Sequence, residues 1–163
     1  PLLILLWILG MLENGSPLFI QQRVGYKKKL FLLIKFRTMR LNTKSVATHL
    51  IDNSMITPFG SFLRRSKLDE VPQLLNVLLG DMSLVGPRPC LSNQKKLISE
   101  RTKRGIYENK PGITGLAQIS GISMETPTLL AKTDLKMIKS INLYYYFYYI
   151  LKTFLLIFKI QKS

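Results

Sequence analysis

At 163 residues the chain is the length of one domain, enough to bury a core without metal or disulfide staples. Its 24 lysines and arginines against 9 acids leave +15, which points to anionic partners: nucleic acid, anionic lipid or phosphorylated small molecules. The single cysteine, Cys90, excludes an internal disulfide framework and reads as a small buried hydrophobe, and the lone His49 reads as a loop residue with no ligand role.

In chain order, residues 1–12, PLLILLWILGML, form an unbroken apolar run. A helix crossing a bilayer takes about 20 apolar residues, so this run is too short to span. It begins at Pro1 without a basic leader, so the expectation is a chain lacking its natural N-terminus, with the run as the second half of a longer membrane-inserted helix. The segment PLFIQQRVGYKKKLFLLIKFRTM then reads as two apolar-rich strands, around 18–23 and 30–38, joined at Gly25 with lysines following: a basic hairpin. Residues 42–58 are polar and punctuated by Pro58 and Gly60, which predicts a loop with at most a short helix.

The stretch RRSKLDEVPQLLNVLLGDMSLVGPRP, residues 64–89, predicts an amphipathic helix. Leu68, Val71, Leu75 and Leu78 recur at helical spacing as one apolar stripe, and Asp69, Gln73 and Asn76 make a polar one. Pro72 is tolerated only in a first turn, which puts the N-terminus near Leu68 to Glu70, and Gly80 ends the helix. Two adjacent acids, Asp69 and Glu70, would then sit at the positive end of the helix dipole. Acids there are a normal capping device, but arginines surround these: Arg64 and Arg65 before them, and Arg88 after them between two prolines that restrict its loop. Planar guanidinium forks suit phosphates, an ionised carboxylate among them is a possible nucleophile toward phosphorus, and its neighbour is a hard oxygen ligand for Mg²⁺.

A basic segment at 93–110 and a turn-rich block, KPGITGLAQISGI, lead to INLYYYFYYILKTFLLIFKI at 141–160. That last segment is long enough for about 30 Å of helix. Lys152 interrupts it, and Tyr144, Tyr145, Tyr146, Tyr148 and Tyr149 favour the membrane interface. The reading is a helix lying in the headgroup region, with lysines 152, 159 and 162 reaching toward phosphates. The aromatics cluster in this tail instead of alternating with basic residues, and the apolar ends would have no purpose in a nucleic-acid binder; no nucleic-acid partner is expected.

The blocks PLFIQQRVG, KFRTM, LDEVPQLLNVLLGDMSLVGPRP and KPGITGLAQISG, in that order, resemble the signature of the bacterial sugar transferase family, the monotopic polyprenyl-phosphate phosphoglycosyl transferases. The resemblance implies transfer of a sugar-1-phosphate from a UDP-sugar to undecaprenyl phosphate with release of UMP, the step that begins surface glycan assembly. It implies a dyad in which Asp69 is the nucleophile that carries the phosphosugar, with Mg²⁺ held partly by Glu70. Substrate contacts are implied for Arg64 and Arg88, for Lys35 and Arg37 of KFRTM, and for Gln118 of the turn-rich block. The implied fold is α/β, mainly helical with a small β-hairpin, associated with one face of the membrane through surface helices. Residues 1–12 would be part of a re-entrant helix, 13–140 the catalytic domain and 141–163 a Tyr-rich interfacial helix, at the cytoplasmic face of the bacterial inner membrane. Three positions depart from the family pattern: Lys28 where glycine is usual, Met137 where D-x-x-Y would put tyrosine three residues after Asp134, and a tyrosine near 146 in place of an aspartate. The alternatives are an inactive, truncated family member and a non-catalytic membrane-surface scaffold.

Overall fold

The computed structural model describes residues 1–41, 43 and 53–160. His49 and most of the predicted 42–58 loop lie outside the described residues. A first helix, α1 (Leu2–Asn14), leads into an antiparallel hairpin of β1 (Leu18–Val24) and β2 (Leu30–Phe36), in register from Leu18 opposite Phe36 to Val24 opposite Leu30. The turn between the strands is the predicted one. It is made by a short 3₁₀ turn, Tyr26–Lys28, in which Lys27 and Lys28 have φ of 50° and 61°. Lys28 therefore holds the left-handed backbone that favours glycine, so its departure from the family pattern keeps the shape with a costlier residue.

After a 3₁₀ turn at Asn53–Met55 comes α2 (Pro58–Ser66). Pro58, expected to punctuate a loop, is instead the first residue of this helix, where its missing N–H is harmless. Thr57 caps it, accepting from Gly60 N at 3.0 Å, and Glu13 at the end of α1 accepts from Thr57 Oγ1 at 2.7 Å and from Phe59 N at 3.1 Å. One helix thus satisfies the free donors of the next. Leu6 of α1, Phe36 of β2 and Leu63 of α2 close a core beneath them.

The predicted helix over the acids is split. Leu68–Glu70 form a 3₁₀ turn, and the α-helix, α3, runs only from Gln73 to Leu78. The cause is Pro72: with no N–H it cannot bond Leu68 O, which takes Val71 N at 3.2 Å instead, in the tighter i to i+3 pattern. Of the two stripes, the polar one of α3 faces inward. Asn76 is 1 % exposed, while Leu75 and Leu78 are 51 % and 82 % exposed. The inward face is polar because Asn76 serves the hairpin edge: its Oδ1 accepts from Ile34 N at 3.1 Å and its Nδ2 donates to Leu32 O at 2.7 Å.

Two further strands, β3 (Ser83–Val85) and β4 (Gly112–Thr114), pair in parallel. Between them lie α4 (Lys95–Lys103) and a 3₁₀ turn, Ile106–Glu108. Gly86 and Gly112 meet where this pair closes: a Cβ on Gly112 would lie 2.0 Å from Gly86 N, so only glycine lets the two backbones approach. The chain ends in α5 (Leu116–Ile119), α6 (Pro127–Ser140) and α7 (Leu143–Ile160). Of the large residues of α7, Tyr149 is buried with Val85 and Met137, whereas Leu143, Tyr144, Phe147, Leu151, Phe154 and Leu155 face outward. Along α1, too, only Leu6 and Gly10 are buried. No helix among the described residues is long and apolar enough to cross a membrane. The architecture is α/β, mainly helical with small sheets.

Candidate active site

The acidic turn is aimed by what precedes it. Lys67 ends α2 with a left-handed φ of 57°, which turns the chain so that Asp69 points inward and is 8 % exposed. Four cations come from separate elements: Lys35 from β2, Arg64 from the last turn of α2, Lys67 from the bend, and Arg88 from the loop after β3. Arg64 is held by Nε donating to Thr38 Oγ1 at 2.8 Å. Arg88 donates from Nη2 to Glu70 Oε1 at 2.8 Å, with the glutamate side chain 13 % and the arginine 39 % exposed. The arginine therefore keeps an open side, where a phosphate can reach it.

The two carboxylates are made unlike by these surroundings. Burial, and then Glu70 beside it, push Asp69 up from 3.8 to about 6, against the pull of Lys35, Lys67 and Arg88. Burial opposes the charge of Glu70 as well, but the Arg88 guanidinium holds it below the usual carboxylate range. Burial brings Lys35 down to about 8, with Asp69 opposing. Asp69 Oδ1 is buried and has no hydrogen-bond partner. One acid is thus tied to a cation, and the other is left with a desolvated, uncommitted oxygen, the arrangement a nucleophile needs.

A pocket of about 380 Å³ opens beside the dyad. Glu70, Arg88, Lys67 and Gln118 supply its polar wall, and apolar residues such as Leu84 and Ile150 the rest. Thr114 and Thr153 join their hydroxyls at its edge. Both polar atoms of the Gln118 amide are buried without partners, so a donor and an acceptor await a ligand.

Among the residues singled out from sequence, Asp69, Glu70, Arg64, Arg88 and Lys35 form one electrostatic cluster, and Gln118 lines the pocket alongside. Arg37 is engaged elsewhere: it donates to Ser16 O at 2.9 Å and Leu18 O at 3.0 Å, fastening β2 to the chain after α1. Arg65 is exposed. Sequence reasoning passed over Lys67, whose bend aims the acids, and gave no role to the partners of Asp134. Arg101 donates to Asp134 Oδ2 from Nε at 3.0 Å and Nη2 at 2.7 Å, a buried pair with no signal in a spacing of 33 residues. At the other two departures, Met137 Sδ accepts from Leu116 N at 3.2 Å and the Tyr146 hydroxyl meets Ser83 Oγ at 3.3 Å.

No group of three or more His, Cys, Asp or Glu side chains that could cage a metal lies among the described residues. Mg²⁺ does not require one, since it is bound through one or two carboxylates with substrate phosphates and water completing the shell. Glu70, a carboxylate beside Asp69 on the wall of the pocket, is a donor of that kind.

The model of the bacterial sugar transferase family matches residues 1–160. An uncharacterized sugar transferase, EpsL, of Bacillus subtilis (strain 168) is 50% identical over 111 residues, covering 68% of this chain and 54% of its own length. The UDP-glucose:undecaprenyl-phosphate glucose-1-phosphate transferase of Caulobacter vibrioides is 42% identical, covering 79% and 50%. The undecaprenyl-phosphate galactose phosphotransferase of Salmonella typhimurium is 40% identical, covering 74% and 29%. The chain thus spans about half or less of the length of these relatives. With a family match that runs nearly end to end and takes in the acidic turn, the proline-flanked arginine loop and the Gln118 helix, this chain belongs to the bacterial sugar transferase family.

Proposed function

We propose that the chain moves a sugar-1-phosphate from a UDP-sugar to undecaprenyl phosphate through a covalent intermediate on Asp69, releasing UMP and starting a surface glycan. The observation that carries this reading is the state of Asp69: buried, with one oxygen unbonded, next to a second carboxylate already paired with an arginine. The substrate classes are those in the names of the relatives from Caulobacter and Salmonella.

In the first half-reaction an Asp69 oxygen attacks the β-phosphorus of the UDP-sugar. The bond from that phosphorus to the bridging oxygen breaks, and its electron pair leaves with UMP. The sugar phosphate remains as an acyl phosphate on Asp69. A phosphate oxygen of undecaprenyl phosphate then attacks the same phosphorus, the bond to Asp69 breaks, and the carboxylate is restored. Nucleophile, leaving group and acceptor are all anions, so neither half needs a general base. What both need is positive charge, which explains why Lys35, Arg64, Lys67 and Arg88 surround the acids where another active site would place a histidine. Glu70 would in part hold Mg²⁺, which when bound neutralises charge on the diphosphate. The Gln118 amide is offered to a polar group of the substrate in the adjoining pocket. The outward apolar residues of α1, α3 and α7 support a seat on the inner membrane at its cytoplasmic face, with exposed Lys152 near the lipid phosphates.

The test is UMP release from a panel of UDP-sugars by membranes carrying the chain, with undecaprenyl phosphate and Mg²⁺. Release should depend on the lipid, and Asp69→Asn should lower it by about 10³-fold or more while the protein stays folded. The intact mass after incubation with the UDP-sugar alone should rise by one sugar phosphate. An Asp69→Asn protein that turns over like the parent would remove the nucleophile assignment.

A further inference from the structure

The loop that carries Arg88 is fastened in an unusual way. Pro87 and Pro89 have no N–H, so the loop lacks the donors with which most turns bond to themselves. Instead four consecutive carbonyls are each held from outside. Pro87 O accepts from Gly112 N at 3.0 Å and Cys90 O from Val24 N at 2.9 Å. Between them, Arg88 O accepts from Arg101 Nη1 at 2.8 Å, and Pro89 O from Arg23 Nη1 at 3.3 Å. The donors come from β4, β1 and α4, and two of them are buried guanidinium groups.

Arg101 is itself seated on Asp134, with the two side chains 2 % and 1 % exposed. A buried ion pair is a weak device for stability alone, because apolar residues of the same volume do as well or better. Its distinctive product is direction. One face of the Arg101 fork is fixed on Asp134 Oδ2, and the remaining nitrogen is thereby aimed at the backbone oxygen of the residue whose own side chain reaches Glu70. Arg23 does the same from the other side, its Nη2 anchored on Gln21 Oε1.

We propose that Arg101, oriented by Asp134, and Arg23 are positioning residues for the reaction: they touch no substrate, and act by fixing the Pro87–Pro89 backbone so that the Arg88 guanidinium meets Glu70 and the substrate phosphate. This rests on the transferase reading of the site. It also gives Asp134 a task that does not require a tyrosine at position 137.

The experiment is a double-mutant cycle in the full chain in detergent. Arg101→Lys keeps a charge facing Asp134 but loses the planar fork that spans carboxylate and carbonyl. Its expected effect is a roughly tenfold fall in kcat/KM for UMP release, shrinking to less than about twofold when Arg88 is already alanine, because the two residues act through one another. Equal losses in both backgrounds, or no loss in the first, overturn the assignment. If Arg101→Lys does not fold, Arg101→Leu combined with Asp134→Leu replaces the pair by apolar groups and goes through the same cycle. A second readout is independent of turnover: the side-chain NMR resonance of the Arg88 guanidinium, identified by its loss in Arg88→Ala. In Arg101→Lys it should move toward that of a solvent-exposed arginine and exchange faster with water, and an unmoved resonance counts against the positioning role. A parent chain that releases no UMP from any UDP-sugar defeats the transferase reading, and the resonance then decides the positioning claim alone.

Discussion

Around the acidic turn, polar side chains face inward: Asp69, Gln73 and Asn76 are buried, and Leu75 and Leu78 lie outside. Along α7 the large apolar and aromatic residues are the ones outside, with Tyr149 the buried exception among its tyrosines. The two regions invert the usual sorting for different reasons. In the first, Asn76 is drawn inward by the hairpin edge it bonds, and Asp69 sits among cations with an oxygen left unbonded. In the second, the outward apolar surface is what the proposed seat on a headgroup layer would use. On that reading, precision and adhesion fall to different parts of one small domain.

The largest expected break in that division comes at the open cation. Arg88→Ala should lower kcat by about 10²- to 10³-fold, the scale of removing one charge-stabilising donor, read by UMP release under saturating UDP-sugar. Acidification comes next. In the proposed reaction Asp69 has to be ionised to attack, so turnover should fall about tenfold per pH unit below about 6, seen as one limb of a kcat/KM profile. Stability runs the other way. The folded pKa of about 6 exceeds the ordinary 3.8, so this group's contribution is full below the lower value and is lost as pH rises through the upper one. Asp69→Asn should flatten that slope in denaturant titrations between those two pH values.

The next effect is on the fold. Asn76→Leu would strand Ile34 N and Leu32 O on the hairpin edge, at about 1–3 kcal/mol for each unsatisfied group. Urea unfolding should therefore place it well below Leu78→Ala, which alters only an outward residue. A midpoint equal to that of Leu78→Ala would mean that the polar inner face is dispensable. Last and smallest, Lys28→Gly should raise stability by about 0.5 kcal/mol, the relief of a left-handed φ less the extra freedom of an unfolded glycine.

Much of this was legible in the chain. The hairpin declared itself through apolar runs around Gly25, and the acids through their arginine neighbours and family signature. The orientation of α3 was not legible, because a helical pattern states that two faces differ and leaves open which one a neighbour will use. Here an unpaired strand edge recruited Asn76, and only the tertiary arrangement contains that edge. The shortening of α3 was half legible: Pro72 marked a start, but its effect on Leu68 O, and so the 3₁₀ turn, follows from a single missing donor. The resemblance implied a substrate contact for Arg37 by its place in KFRTM, and its fork is occupied by backbone carbonyls 19 and 21 residues back. The D-x-x-Y pattern marked Asp134 but Arg101 had no local mark, since a buried pair between two helices is defined by distance in space.

The arginine loop has one more consequence. Ordering a flexible segment around a substrate costs roughly 1–2 kcal/mol of backbone entropy per residue, and a catalyst with a loose loop meets that cost at every turnover. With prolines on both sides of Arg88 and its carbonyls already bonded, this chain meets it once, when it folds. In the proposed reaction the diphosphate would then find its cation waiting in place, and the energy of that encounter would remain available for the transfer itself.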